Sequence, residues 1–353
     1  MMAMKARALL AMLALAAPAY VAAVGRPFRA GPAWTAQKSN VTARLRGVSA
    51  VSEKVAWASG SGNTILRTED GGETWTKITS PTTDRLDFRD IDAVGERAAY
   101  VLSIGAGSTS RIYKTVDAGQ TWALQFTNED PDAFFDAMAF WDAERGIAVS
   151  DSVKGAFVII TTDNGGKTWT RVPATSLPPA LPNEGAFAAS GTNVAVLGNN
   201  VWFGTGAAAR SRVLHSTDRG KTWTIAETPM ASGQSSGIYS VAFRDAQHGV
   251  IVGGDYSKEQ EAVDNAAVTS DGGRTWTLVK GLHGFRSVVA HVPGSRSSFV
   301  ALGPQGSDIS TDDGKTWIAI EGPGFDTFSF VTGKTIGWGS GARGSIGRLD
   351  GLK

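Results

Sequence analysis

Thr68–Trp75 reads T-E-D-G-G-E-T-W, and the chain repeats it. The pattern returns as T-V-D-A-G-Q-T-W at Thr115–Trp122 and T-D-N-G-G-K-T-W at Thr162–Trp169. Further copies are S-T-D-R-G-K-T-W at Ser216–Trp223, T-S-D-G-G-R-T-W at Thr269–Trp276 and S-T-D-D-G-K-T-W at Ser310–Trp317. The shared rule is Ser/Thr, any residue, Asp, any residue, Gly, any residue, Thr, Trp, with Asn164 replacing Asp in the third copy. A unit that recurs at this spacing decides the fold before any other feature does.

Successive box tryptophans are 47, 47, 54, 53 and 41 residues apart, the length of one four-stranded propeller blade. The first period contains short runs at Arg46–Val51, Val55–Ser59, Thr64–Thr68 and Trp75–Ile78, separated by glycine and polar turns. This is β-meander spacing. No sustained 3.6-residue periodicity interrupts it, so helices are expected to be nearly absent. Second strands are expected at Ala98–Ser103, Gly146–Ser150, Asn193–Gly198, Gly249–Gly253, Ser298–Gly303 and Ile336–Ser340. With Val55–Ser59 these make seven second strands for six boxes. The last period, Phe325–Leu349, has three strands, and Trp34-Thr35 repeats the Trp-Thr start of an outer strand. The expectation is an all-β, seven-bladed propeller of four-stranded blades. Residues 34–37 should complete the last blade beside Ser345–Leu349, leaving no free sheet edge.

In such a meander each box links the third and fourth strands. Its Asp accepts N–H groups of its own turn, its Gly supplies positive φ, and its Trp is buried between blades. One buried indole hides about 150–250 Å², an upper bound of about 4–6 kcal/mol.

Glycine is abundant (43 of 353 residues), charged residues make up 19%, and the net charge is +1. That balance suits a turn-rich β protein and gives no electrostatic case for nucleic acid or an anionic membrane. Lys5 and Arg7 precede an apolar run from Ala8 to Val24 with small residues at Ala17, Ala19, Ala22 and Ala23. This is a signal-peptide layout, with cleavage expected after Ala23 and one propeller domain over 24–353. The mature chain is expected to be periplasmic or secreted, monomeric and without stable membrane insertion. With no cysteine, neither disulfide nor thiolate metal site is available.

The boxes resemble the Asp-box (BNR) repeats of sialidases. The chain after the signal segment resembles the seven-bladed bacterial propellers similar to the photosystem II stability/assembly factor. The runs that carry this are L-R-G-V-S-A-V (Leu45–Val51), V-A-W-A-S-G (Val55–Gly60) and I-L-R-T-E-D-G-G-E-T-W (Ile65–Trp75). The resemblance implies an exported propeller that acts as a binding or assembly platform. Some bacterial relatives carry an oxidoreductase label, but no Gly-x-Gly-x-x-Gly between a strand and a helix supports one here.

Propeller ligands sit on the face opposite the boxes, where blades differ from one another. Starts of innermost strands place Arg46, Arg89 with Asp90, Asp136, Glu184, Tyr239, Arg286 and Asp326 there. Turns between second and third strands add Asp151, a long Gly198–Arg212 loop with Trp202 and Phe203, Asp255 with Tyr256, Asp308 and Arg343. The candidate ligand-binding set is Arg46, Arg89, Asp90, Asp136, Asp151, Glu184, Trp202, Tyr239, Asp255, Tyr256 and Arg286. Arginines at one mouth suit bidentate contact with carboxylates. The expected role is therefore binding of a protein segment, or of an anionic ligand or glycan, without cofactor or metal.

The alternative is a glycoside hydrolase. Arg46, Arg89, Arg286, Tyr239, Glu184 and Asp136 match sialidase residue types, but the Arg-Ile-Pro motif is missing and sialidases have six blades. A pair of mouth carboxylates about 5–9.5 Å apart across an open cleft would favour that chemistry, and carboxylates locked to arginines would oppose it. The acidic run Asn128–Asp132 and Glu259-Gln260-Glu261 read as solvated loops. The histidines lack metal spacing.

Overall fold

The computed structural model describes residues 33–352; the expected signal peptide (1–23) and its cleavage site lie outside the described residues. Seven four-stranded antiparallel sheets follow one another as a seven-bladed propeller. Among the described residues the only helical elements are three three-residue 3-10 turns.

Each blade is too thin to bury its own apolar face, so the core is divided among seven hydrophobic clusters, each shared by two neighbouring blades. Between blades 1 and 2, Trp57 and Ile65 meet Phe88, Ile91 and Tyr113. Box tryptophans complete these clusters, as Trp75 does between blades 7 and 1. A further repeat lies one layer out: a second-strand aromatic faces a third-strand cation. Arg67 stands over Trp57, Lys114 over Tyr100 and Arg348 over Trp338; in blade 4 His215, whose pKa burial lowers, takes the same place by stacking on Trp202 with ring centroids 4.9 Å apart.

The boxes form self-contained turns. In the first, the Thr68 hydroxyl accepts the Gly72 N–H at 2.8 Å. The Asp70 carboxylate accepts the Thr74 N–H at 2.9 Å and the Thr74 hydroxyl at 2.6 Å. Gly72 has φ +89°, which its turn requires. Asn164 makes the same turn without the charge, accepting the Thr168 N–H at 3.0 Å and donating to its hydroxyl at 2.8 Å.

The ring closes as the repeat count requires. Ala33–Gln37 pairs antiparallel with Ile346–Asp350, aligning Trp34 with Leu349 and Gln37 with Ile346. Trp34 packs against Phe325 with centroids 4.6 Å apart. The Gln37 side-chain oxygen accepts both the Trp75 and the Trp338 indole N–H, each at 3.0 Å, and its nitrogen donates to Gly71 O at 3.0 Å. One amide thereby joins blades 1 and 7.

Blade 4 departs from the expected register. Val194–Leu197 is its innermost strand and Asn200–Gly204 its second. Gly198-Asn199 is therefore a tight hairpin on the box face, where Asn199 O accepts the Arg219 N–H at 2.9 Å. The segment that would have formed an ordinary innermost strand, Ala186–Thr192, instead reaches across the ring. The Ala186 N–H donates to Asp151 at 2.8 Å in blade 3, and Ala188 O accepts from Arg89 at 3.1 Å in blade 2. Ser190 donates to Ser287 O at 2.7 Å in blade 6 and its carbonyl accepts from Thr327 at 2.9 Å in blade 7. Thr192 shares a 2.7 Å hydroxyl bond with Ser240 in blade 5. A segment bonded to five other blades closes the central channel as a plug. Gly191 has φ +74°, and a Cβ there would fall 2.3 Å from Asp90 Oδ1, so the crossing needs glycine.

Candidate functional site

Four innermost strands carry a β-bulge at the same place. In blade 1, Leu45 and Gly47 pair with adjacent residues of the next strand and leave Arg46 over. The extra residue is Arg89 in blade 2, Asp136 in blade 3 and Tyr239 in blade 5. A bulge re-aims one side chain while the strand continues. Arg286 and Asp326 stand just before the innermost strands of blades 6 and 7. Six blades thus share the sequence apolar, variable, small or short polar, apolar: L-R-G-V, F-R-D-I, F-D-A-M, I-Y-S-V, F-R-S-V and F-D-T-F.

Above the plug lies a cavity of about 350 Å³. One wall is cationic: Arg44 and Arg46 from blade 1 and Arg89 from blade 2. The other is aromatic: Phe187 from the plug with Tyr239, Tyr256 and Phe285. Phe187 stacks flat on Tyr239 with centroids 4.0 Å apart, and Phe285 meets Tyr239 edge-on at 4.6 Å. The Tyr239 hydroxyl donates to Ser235 O at 2.9 Å, and burial raises its pKa.

The three arginines differ in commitment. Arg44 makes a two-point pair with Asp326, both bonds at 2.7 Å. Arg89 donates to Asp87 at 2.9 Å and to Ala188 O at 3.1 Å. Arg46 is half-buried and has no hydrogen-bond or ion-pair partner among the described residues. Burial, then the neighbouring Arg89 and Arg44 charges, lower its pKa to about 10. An uncompensated guanidinium beside two others favours an anionic group at that point.

The predicted residues divide. Arg46, Arg89, Tyr239 and Tyr256 line the arginine cavity. Asp151 and Glu184 line a neighbouring cavity of about 560 Å³ on the other side of Phe187. The remaining five do not line the mouth. Trp202 lies in the second strand of blade 4, fully buried, stacked 3.6 Å from Phe243 and donating to Gly272 O. It was expected in a loop because the innermost strand of blade 4 was read as the second. Asp90 sits one residue past the bulge, so it turns toward blade 3, where it is buried and accepts the Met138 N–H at 2.7 Å. Asp136 stands on a bulge but is only 2% exposed under the plug, and burial raises its pKa. Arg286, 1% exposed, is held by Asp308 at 2.7 Å. Asp255 binds the hydroxyl and N–H of Ser257 in its own turn.

Glu184 is locked as well. It is fully buried, pairs with Arg212 through both oxygens and accepts the Leu181 N–H and Thr205 hydroxyl. Asp326, Glu184 and Asp308 are therefore each committed to an arginine, which opposes an acid or nucleophile role for these three.

The cavity also holds residues that the sequence reading left out: Arg44, Phe187, Phe285 and Glu259. Arg44 lies two positions before Arg46. Glu259 is a partly exposed loop residue that also borders the cavity; its carbonyl accepts the Phe285 N–H at 2.9 Å and its carboxylate accepts from Gln305 at 2.8 Å. No signal in single residues marks Phe187 or Glu259, because long connections bring them in.

No protein-family model matches the chain, and no curated protein sequence matches it. Solved structures do. YCF48 bound to D1 peptide is similar with a TM-score of 0.65 and 17% identity, covering 90% of this chain and 97% of that one. YCF48 from Cyanidioschyzon merolae is similar with a TM-score of 0.63 and 16% identity, covering 90% and 98%. The chain is thus a seven-bladed propeller resembling YCF48. At this identity the likeness is one of fold.

Proposed function

We propose that this chain is an exported binding propeller that captures a protein segment through the arginine and aromatic walls of its mouth. The observation that carries this is Arg46. A guanidinium half-buried without a partner is costly unless something else supplies the anion. Arg44 and Arg89 are held in place beside it by their own partners. The facing rings offer a rigid apolar surface to the rest of the ligand. A structure of similar fold holds D1 peptide, which supports a peptide as the class of occupant. Export rests on the N-terminal sequence, and the protein is proposed to act as a monomer.

The test is affinity capture from a native envelope extract with the mature protein, eluted by rising salt. Arg46→Ala should lose captured material at least about tenfold, one well-placed charged contact, and Arg46→Lys should recover part of it. Melting temperature should stay near wild type, since Arg46 holds no structural bond. Undiminished capture by Arg46→Ala/Arg89→Ala would refute the mouth as the binding surface.

A further inference from the structure

The two cavities at the mouth have opposite character. The arginine cavity is lined by three cations against Glu259 and Asp326. Across Phe187, which lines both, the larger cavity has Asp151 at its base. Asp151 Oδ1 accepts the Ala186 N–H at 2.8 Å and meets no cation among the described residues. Behind it stands Asp136, 2% exposed, with Oδ2 buried and without a partner. After burial, the Asp151 carboxylate disfavours the charged form of Asp136.

The surrounding charges relieve this only in part. Arg89 faces Asp136 from blade 2 but is committed to Asp87 and Ala188 O. Glu184, on the cavity wall, is spent on Arg212. Lys154, at the rim, makes no ion pair with Asp151. The remaining lining is uncharged, and its polar members are Ser152, Asn183 and Gln234.

We propose that the second cavity is a subsite for a basic group, an ammonium or guanidinium on the same segment whose acidic group meets Arg46. This rests on the mouth being the binding surface. The partner is then a segment with acidic and basic groups on either side of Phe187, and the Phe187–Tyr239 stack is the saddle it crosses. An organic cation fits better than a metal ion. Ca²⁺ and Mg²⁺ want six or more oxygens, and no group of three His, Cys, Asp or Glu that could hold a metal ion occurs among the described residues.

The probes are N-acetyl-lysine amide for the second cavity and N-acetyl-phenylalanine for the first, titrated by NMR into the isotope-labelled mature protein. N-acetyl-lysine amide should shift Ser152, Gly155 and Gly185 amides, and the side-chain-acetylated analogue should not. It should also lower the midpoint at which the Asp151 carboxyl titrates, because a cation stabilises the charged form. Asp151→Asn keeps the acceptor for Ala186 and should weaken N-acetyl-lysine amide at least about tenfold while leaving N-acetyl-phenylalanine unchanged. The subsite is overturned if N-acetyl-lysine amide leaves these amides and the Asp151 midpoint unmoved while N-acetyl-phenylalanine binds. If neither probe binds, the mouth reading fails with it.

Discussion

Asp271 on the box face and Asp136 under the mouth are the same side chain in opposite surroundings. Asp271 accepts the N–H and the hydroxyl of Thr275, at 3.0 and 2.6 Å, within one turn. These bonds oppose the effect of burial and hold its pKa at about 2. Asp136 sits at the end of an innermost strand, buried, with one oxygen unpartnered. The box face solves its electrostatics locally, in each of the five boxes that carry an Asp. The mouth leaves charges that only distant blades, or a ligand, can answer. A local solution can be copied from blade to blade, whereas a long-range one belongs to its site alone.

Four changes sharpen or break this contrast. The largest effect should come from removing the closing strand Ala33–Gln37, which strips one box-equivalent tryptophan and a whole ladder from blade 7. A loss of about 5 kcal/mol or more is expected, read as a lowered midpoint in circular-dichroism melts. An unchanged midpoint would show that the ring does not depend on closure.

Second, Arg212→Met leaves Glu184 buried without its cation and should cost about 3–5 kcal/mol in urea unfolding. Adding Glu184→Leu should recover most of that loss, since the charge left behind is the source of it.

Third, the two faces should respond oppositely to pH. Burial raises Asp151, in the mouth, to about 6, above its ordinary 3.8, so its contribution is full below about 3.8 and lost as pH rises through about 6. Asp218 and Asp271 lie at about 2, so theirs is present above about 3.8 and lost as pH falls toward 2. In melts from pH 2 to 8, Asp151→Asn should flatten the arm between about 4 and 6, and Asp271→Asn the arm below 4. Parallel profiles for both variants would break the contrast.

The smallest effect is Asn164→Asp, which gives blade 3 the box of its neighbours. Because Asn164 already makes the same turn, stability should move by no more than about 0.5 kcal/mol. A larger change in calorimetry would mean that the boxes are not interchangeable.

Much of the architecture was legible because its determinants are local. Box spacing counted the blades, and Trp34-Thr35 gave away the closing strand. The alternation after Arg46 and Arg89 put those side chains at the right end of their strands. What was misread follows from contacts that local sequence does not encode. The apolar run Val194–Leu197 looks the same as a first or a second strand. Only the plug before it, bonded through Ser190 to residues 97 and 137 positions away, decides between them. Trp202 went astray with that error. Asp90 fell outside the mouth through a finer one: aligning the six lead-ins shows that the variable position is Arg89, and Asp90 takes the place of Gly47, Ala137 and Ser240. Arg286 keeps the variable position, but its carboxylate partner arrives from the next hairpin.

Chains of similar repeats risk gaining or losing a unit, or docking the wrong units together. The Gln37 amide guards against the second. Its two indole partners belong to blades 1 and 7, and Trp338 lies 301 positions along the chain. Both bonds form only when the closing strand joins blade 7 and blade 7 lies against blade 1. A closing strand docked on another blade would leave Gln37 without Trp338, so one hydrogen-bonding side chain checks that the ring closes on its own last blade.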